Sequence, residues 1–270
     1  MSRKIVAISG YSCCQEDGGI KSDMSVASLE TLPIDKEIIC LAKKDKPNFL
    51  LIAHAQPLEK QDAYFEAMRQ IYEGTFNCEC RMLRSDQLSD IKHAKEMLDW
   101  ADIVYEGGGS TLDMINLWKS TGFDKLLKLA WEDGKVMCGL SAGANCWFGE
   151  CITDALRIKY GPDQPLIAMD CLGFYEGFLV PHCDEPGREE SSKEILRDKD
   201  VAGILLSNCT ALEIVDDEYR IISSKAAYHP TEPYAKKTYW KNGQYIEEKL
   251  ELSSEFRNVD ELIKNNTLKF

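Results

Sequence analysis

The residues Gly139-Leu140-Ser141-Ala142-Gly143 fit the pattern G-x-S-x-G, between an apolar run and an amphipathic one. In that setting the pattern has a mechanical meaning. A strand that turns abruptly into a helix forces its middle residue into a strained conformation, and small flanking residues leave room for the surrounding backbone. The Ser141 hydroxyl would then stand at the carboxyl end of the strand. The Ala142 amide would lie at a helix N-terminus, aimed at developing oxyanion charge. A serine that merely caps a helix also fits the five residues, but that reading makes no use of the strand before them.

A hydroxyl is a weak nucleophile and needs a base within hydrogen-bond reach. The chain has four histidines. His54 follows the apolar run NFLLIA, His93 sits within a helical stretch between Lys92 and Ala94, and His229 precedes Pro230 in a loop. His182 follows Phe178-Leu179-Val180-Pro181 and comes after the serine, as in triads of the chain order Ser, acid, His. It is the expected base. The orienting acid should lie between the two. Asp154, after Ile152-Thr153, is the first choice, with Glu150 as the alternative and Asp170 behind both.

A second loop, Gly107-Gly108-Gly109-Ser110-Thr111, ends the run DIVY and opens a helical segment. It is not a phosphate-binding Walker loop, because no Gly-Lys-Ser/Thr follows. It is a poor dinucleotide fingerprint, because Leu112 stands where the third glycine belongs. Taken alone it could be a helix-capping loop. Opposite a nucleophile elbow, the backbone of Gly108 or Gly109 is expected to supply the second oxyanion donor beside Ala142.

These residues need elements to position them. Lys4–Ser9, Asn48–His54, Glu79–Leu83, Asp102–Tyr105 and Lys135–Leu140 read as strands. Between them, 34–42, 59–72, 85–100, 111–119 and 123–132 read as helices, with 142–148 after the elbow. Such alternation argues for an α/β fold, a mostly parallel sheet with helices on both faces. After about Cys151 the texture changes. Leu172–Pro181, Gly203–Leu206, Ala211–Ile214, Tyr219–Ser223 and Thr238–Lys249 read as strands and hairpins, and Asn242-Gly243 marks a tight turn. Residues 1–270 are read as a single domain whose β-rich C-terminal part completes the sheet.

Bulk composition excludes several function classes. The net charge of −13 and pI near 4.9 argue against nucleic acid and anionic lipid as partners. No apolar stretch approaches membrane-spanning length, and MSRKIVAISG lacks the pattern of a signal peptide. Eleven cysteines without metal-binding spacing, among them Cys13-Cys14 and Cys78-Glu79-Cys80, read as reduced thiols of a cytoplasmic protein. No metal and no cofactor is expected.

Together, YEGGGSTLDMINLW, GLSAGANCWF, Ile152-Thr153-Asp154 and LGFYEGFLVPHCD resemble the peptidase E family of aspartyl dipeptidases. The likeness extends over about Leu32 to Tyr245, including TLPIDKEIICLA and CTALEIVDDEYRII. It implies a fold like that of class I glutamine amidotransferases (flavodoxin-like), Ser141 as nucleophile, His182 as base, Asp154 as acid, and the Gly108–Gly109 loop on the oxyanion side. It also implies a small peptide substrate, a dipeptide with N-terminal aspartate. Such a substrate wants an Arg for its carboxylate, for which Arg188 is the best-placed candidate, and a carboxylate such as Glu106 or Asp184 for its ammonium. Ser110 replaces the Asn usual after the family's glycines, and Cys183-Asp184 the usual Tyr-Asp, so both positions bear on substrate preference. The oligomeric state stays open between monomer and homodimer. A cyanophycinase-like or esterase-like hydrolase, or a silent ligand-binding homologue, are the alternatives. The last need not keep a serine, a base and an acid together.

Overall fold

The computed structural model describes residues 2–11, 30–224 and 232–263. Strands β1 (Lys4–Ile8), β2 (Asn48–Leu51), β3 (Glu79–Met82), β4 (Ile103–Glu106) and β5 (Val136–Leu140) lie parallel in the order β1-β5-β4-β2-β3. Antiparallel strands β10 (Thr210–Val215), β11 (Glu218–Ser223) and β14 (Arg257–Asn258) extend this first sheet from β1. A second, six-stranded sheet has the order β13-β12-β9-β8-β6-β7. Its strands are β6 (Phe148–Thr153), β7 (Ile167–Asp170), β8 (Tyr175–Val180), β9 (Gly203–Leu206), β12 (Ala235–Lys241) and β13 (Gln244–Leu250).

Alternation along β1 shows how the layers form, since successive side chains of a strand face opposite sides. Val6 and Ile8 pack with Ile34 and Ile38 of α1 (Leu32–Ala42) and with Met68 and Tyr72 of α2 (Leu58–Tyr72). Ile5 and Ala7 belong to the opposite core. There they join Leu98 of α3 (Ile91–Trp100), Trp118 of α4 (Thr111–Thr121) and Leu127 of α5 (Phe123–Glu132). That same core takes in Phe148, Leu179 and Ile204, so one face of the second sheet closes on it. The other face of the second sheet buries Ile152, Phe178 and Val180 against Leu196.

Three elements depart from expectation. The single helix over 85–100 is interrupted: residues Ser85–Ser89 form a tight 3-10 turn, and α3 starts afresh because the Asp90 carboxylate caps the His93 amide at 3.0 Å. The helix after the elbow, α6, covers only Ala142–Asn145. Trp147 and Phe148 are fully buried, and from Phe148 the chain pairs with β8 as a strand, so tertiary burial overrides the helical reading. The C-terminal part supplies β10, β11 and β14 to the first sheet, but its other strands build a sheet of their own. No helix among the described residues is long and apolar enough to cross a membrane.

Candidate active site

Ser141 closes β5 with φ 59° and ψ −108°, a conformation that costs a non-glycine residue about 1–3 kcal/mol and has to be held by its surroundings. Its amide donates to Ile8 O at 3.0 Å, and its carbonyl accepts from Ala144 and Asn145 at 2.9 Å each. A side chain on either Gly139 or Gly143 would strike the Glu106 carbonyl, so the bend is possible only with glycine on both sides. The Ala142 amide is the first of α6 and has no intrahelical acceptor. The glycine loop is tied to this turn through Gly143 N to Gly107 O at 3.1 Å. Gly108 lies against Ser141: a Cβ built there would sit 3.5 Å from Ser141 Cβ. Gly109, at φ 142°, packs on the Ala55 carbonyl. The hydroxyl and the expected oxyanion backbone therefore share one corner.

The expected base arrives from the second sheet. His182 follows β8, and its Nε2 lies 2.9 Å from Ser141 Oγ. Its Nδ1 lies 2.6 Å from Asn208 Oδ1, which fixes Nδ1 as the protonated nitrogen and leaves Nε2 to accept the serine proton. His182 also has positive φ, at 55°. Ser9 holds that backbone by accepting from His182 N at 2.7 Å while donating to Leu206 O at 2.8 Å. A side chain at Gly10 would strike both the imidazole and Asn208 Oδ1. Asn208 is itself held by its amide, which donates to Asp184 Oδ1 at 2.8 Å. Burial pulls the His182 pKa below its ordinary value, with Glu185 pulling the other way. The neutral, proton-accepting form therefore prevails at pH 7.

Other expected site residues lie elsewhere. Asp154 does not hydrogen-bond the ring; it accepts from Arg188 Nη2 at 3.0 Å. Glu150, on β6 between Asp170 of β7 and Phe178 of β8, pairs with Lys199. Arg188 has a side chain only 7% exposed and is bonded to both Asp154 and Glu185, so its fork is not open to a substrate carboxylate. Glu106 is fully buried, and burial pushes its pKa well up. It accepts from the amides of His54 and Ala55 at 3.1 Å each and of Gly107 at 3.0 Å, and so braces the glycine loop rather than meeting an ammonium. Ser110 caps α4, with Oγ accepting from Asp113 N at 3.3 Å. Asp184 faces the Asn208 backbone. His229 and Cys13-Cys14 lie outside the described residues, while Cys78 and Cys80 are free thiols. Among the described residues no group of three or more His, Cys, Asp or Glu is placed to hold a metal.

Three contributors escaped the sequence reading: Asn208, and the pair Ser9-Gly10. An amide carries no charge to mark it as a triad member. Ser9-Gly10 did carry a signal, since it ends the first strand at the same sheet edge as the elbow.

The chain matches the family model described as Peptidase family S51 over residues 24–222. It is 28% identical over 203 residues to the uncharacterized peptidase YgaJ of Bacillus subtilis (strain 168), covering 73% of this chain and 82% of that one. The crystal structure of a peptidase from an acI-B1 Actinobacterium superposes with a TM-score of 0.66 at 18% identity, over 96% of this chain and 97% of the other. A candidate peptidase E protein from Listeria monocytogenes EGD-e superposes with a TM-score of 0.60 at 19% identity, over 83% and 100%. The last two likenesses concern the fold.

Proposed function

The chain belongs to peptidase family S51, and from that premise we propose that it cleaves short peptides through Ser141, His182 and Asn208. The observation that carries this reading is the 2.9 Å approach of His182 Nε2 to a hydroxyl displayed on a positive-φ bend. His182 takes the Ser141 proton as Oγ attacks the scissile carbonyl. The Ala142 amide and the backbone of Gly108 or Gly109 receive the oxyanion. The imidazolium then protonates the departing amine, and water, deprotonated by the same ring, releases the acyl group.

Dipeptides with N-terminal aspartate are the substrates we assign first, on the resemblance to peptidase E. Because Arg188 is engaged by two carboxylates, a substrate side-chain carboxylate has to find other donors in the cleft. The test is a panel of Asp-X and Ala-X dipeptides, a β-Asp-Arg dipeptide and a simple ester, assayed with the wild type and Ser141→Ala. We expect Asp-X to be cleaved fastest, and the variant to lose at least about 10³-fold in kcat. Unchanged turnover in Ser141→Ala would remove the mechanism, and preference for another member of the panel would replace the substrate.

A further inference from the structure

The imidazolium that forms on His182 during proton transfer needs a compensating negative charge, and Asn208 supplies none. Its Oδ1, at 2.6 Å from Nδ1, can orient the ring and fix its tautomer, but an amide is neutral. In an ordinary triad one carboxylate both orients the ring and compensates its charge. Here a second group stands at the same edge of the ring. Glu185 Oε1 lies 3.6 Å from His182 Nδ1.

Glu185 is placed by the turn that follows the histidine, with its amide donating to His182 O at 2.9 Å. Its side chain is 41% exposed and would be free to swing into water, but Oε2 accepts from Arg188 Nε at 3.0 Å. Arg188, on α8 (Arg188–Leu196), is in turn fixed by Asp154 at the start of α7 (Ala155–Tyr160), through Nη2 to Oδ2 at 3.0 Å. One arginine between two carboxylates leaves this chain of groups with one net negative charge beside the ring. The charged groups acting on His182 are Glu185 and Asp154, which favour the protonated ring, and Arg188, which opposes it. Asp184 faces the Asn208 backbone, while β1 and the elbow bring the uncharged Ser9, Gly10 and Ser141.

We propose that the two tasks of the triad acid are divided: Asn208 orients the His182 imidazole, and Glu185, clamped by the Arg188–Asp154 pair, compensates the charge it acquires. Glu185 is a positioning and charge-compensating residue. It receives no proton. The Ser141 proton moves to Nε2 and later to the leaving amine, while the Nδ1 proton stays on the ring. The proposal rests on the reading of Ser141 and His182 as nucleophile and base.

The experiment is an NMR titration of the His182 ring in the full chain, run beside Asp-X kinetics, for wild type, Glu185→Gln and the double variant Glu185→Gln with Asn208→Asp. Losing the carboxylate should lower the His182 pKa by about one unit and kcat by about tenfold, with KM within about twofold. Placing a carboxylate at 208 should restore both. A His182 pKa unchanged in folded Glu185→Gln overturns the proposal, as does a lowered pKa with unchanged kcat. The titration needs no turnover. A chain that hydrolysed nothing would sink the peptidase reading, yet the ring pKa would still report separately on the charge partnership.

Discussion

His54 and His182 each follow the carboxyl end of a strand, and burial lowers the pKa of both, His54 to about 4. What separates them is what their ring nitrogens touch. His54 Nδ1 accepts from Trp118 Nε1 at 2.8 Å, and its Nε2 donates to Leu83 O at 2.8 Å, with Phe123 packed beside the ring. Both nitrogens are held by groups that never titrate, so the ring serves the core. His182 spends one nitrogen on a neutral orienting amide and points the other at a hydroxyl. A strand-end histidine becomes a base only when one nitrogen is left for chemistry.

This contrast can be broken in four ways. The largest effect should come from His182→Gln, which we expect to cut kcat on Asp-X peptides by at least about 10³-fold, with a denaturation midpoint close to wild type. Gly10→Ala tests the seat of the ring rather than the ring itself. Pushing the imidazole away from Ser141 should cost about 10–100-fold in kcat while leaving KM within a few-fold. His54→Gln should do the reverse: kcat stays within about threefold, and stability to urea falls by about 2 kcal/mol as Trp118 and Leu83 lose a buried partner. If instead its kcat collapsed, the division between the two rings would be wrong.

The smallest effect is a pH signature. The folded pKa of His54 lies below its unfolded value near 6.5, so the stability tied to its neutral form is complete above pH 6.5 and is lost as pH falls toward 4. Asp35, buried against Tyr72 and Thr31, shifts oppositely, with burial raising its pKa to about 6. It binds a proton in the folded state first, so it adds stability as pH falls from about 6 toward 3.8. The two contributions run in opposite directions, so in the wild type they largely offset one another. Asp35→Asn should therefore steepen the acid loss between pH 7 and 4.5, and His54→Gln should flatten or invert it. Denaturation midpoints at the two pH values provide the check, and parallel curves for both variants would refute the pairing.

The bend that carries Ser141 was largely legible in the sequence, because its requirements are local. Ser141 needs a strand, two glycines and a helix start, all contiguous along the chain. Strands β1, β2, β4 and β5 were legible for the same reason, since each is a short, mostly apolar run, whereas β3, with Glu79 and Arg81, is an edge strand with no buried position. Around the ring that faces Ser141, only His182 itself was legible. Its orienting partner lies on the far side of α8 and β9, and its backbone support comes from β1, so neither is visible in local spacing. Asp154 was a reasonable expectation by chain order, but the structure gives it Arg188 as its partner. The helix expected through Phe148 failed because α6 stops where burial of Trp147 and Phe148 demands a strand.

Strand β1 pairs with β5 and β10, which begin only at Val136 and Thr210, so both of its sheet partners leave the ribosome long after it. Its apolar run cannot be covered by neighbours of its own age. The nascent protein must carry the apolar run from Ile5 to Ile8 unpaired until those partners are made, which predicts slow folding and a dependence on chaperones. It also means that Ser9 and Gly10, made long before His182, wait for the ring they will seat. A nascent chain that stops short of Asn208 lacks the group that orients that ring.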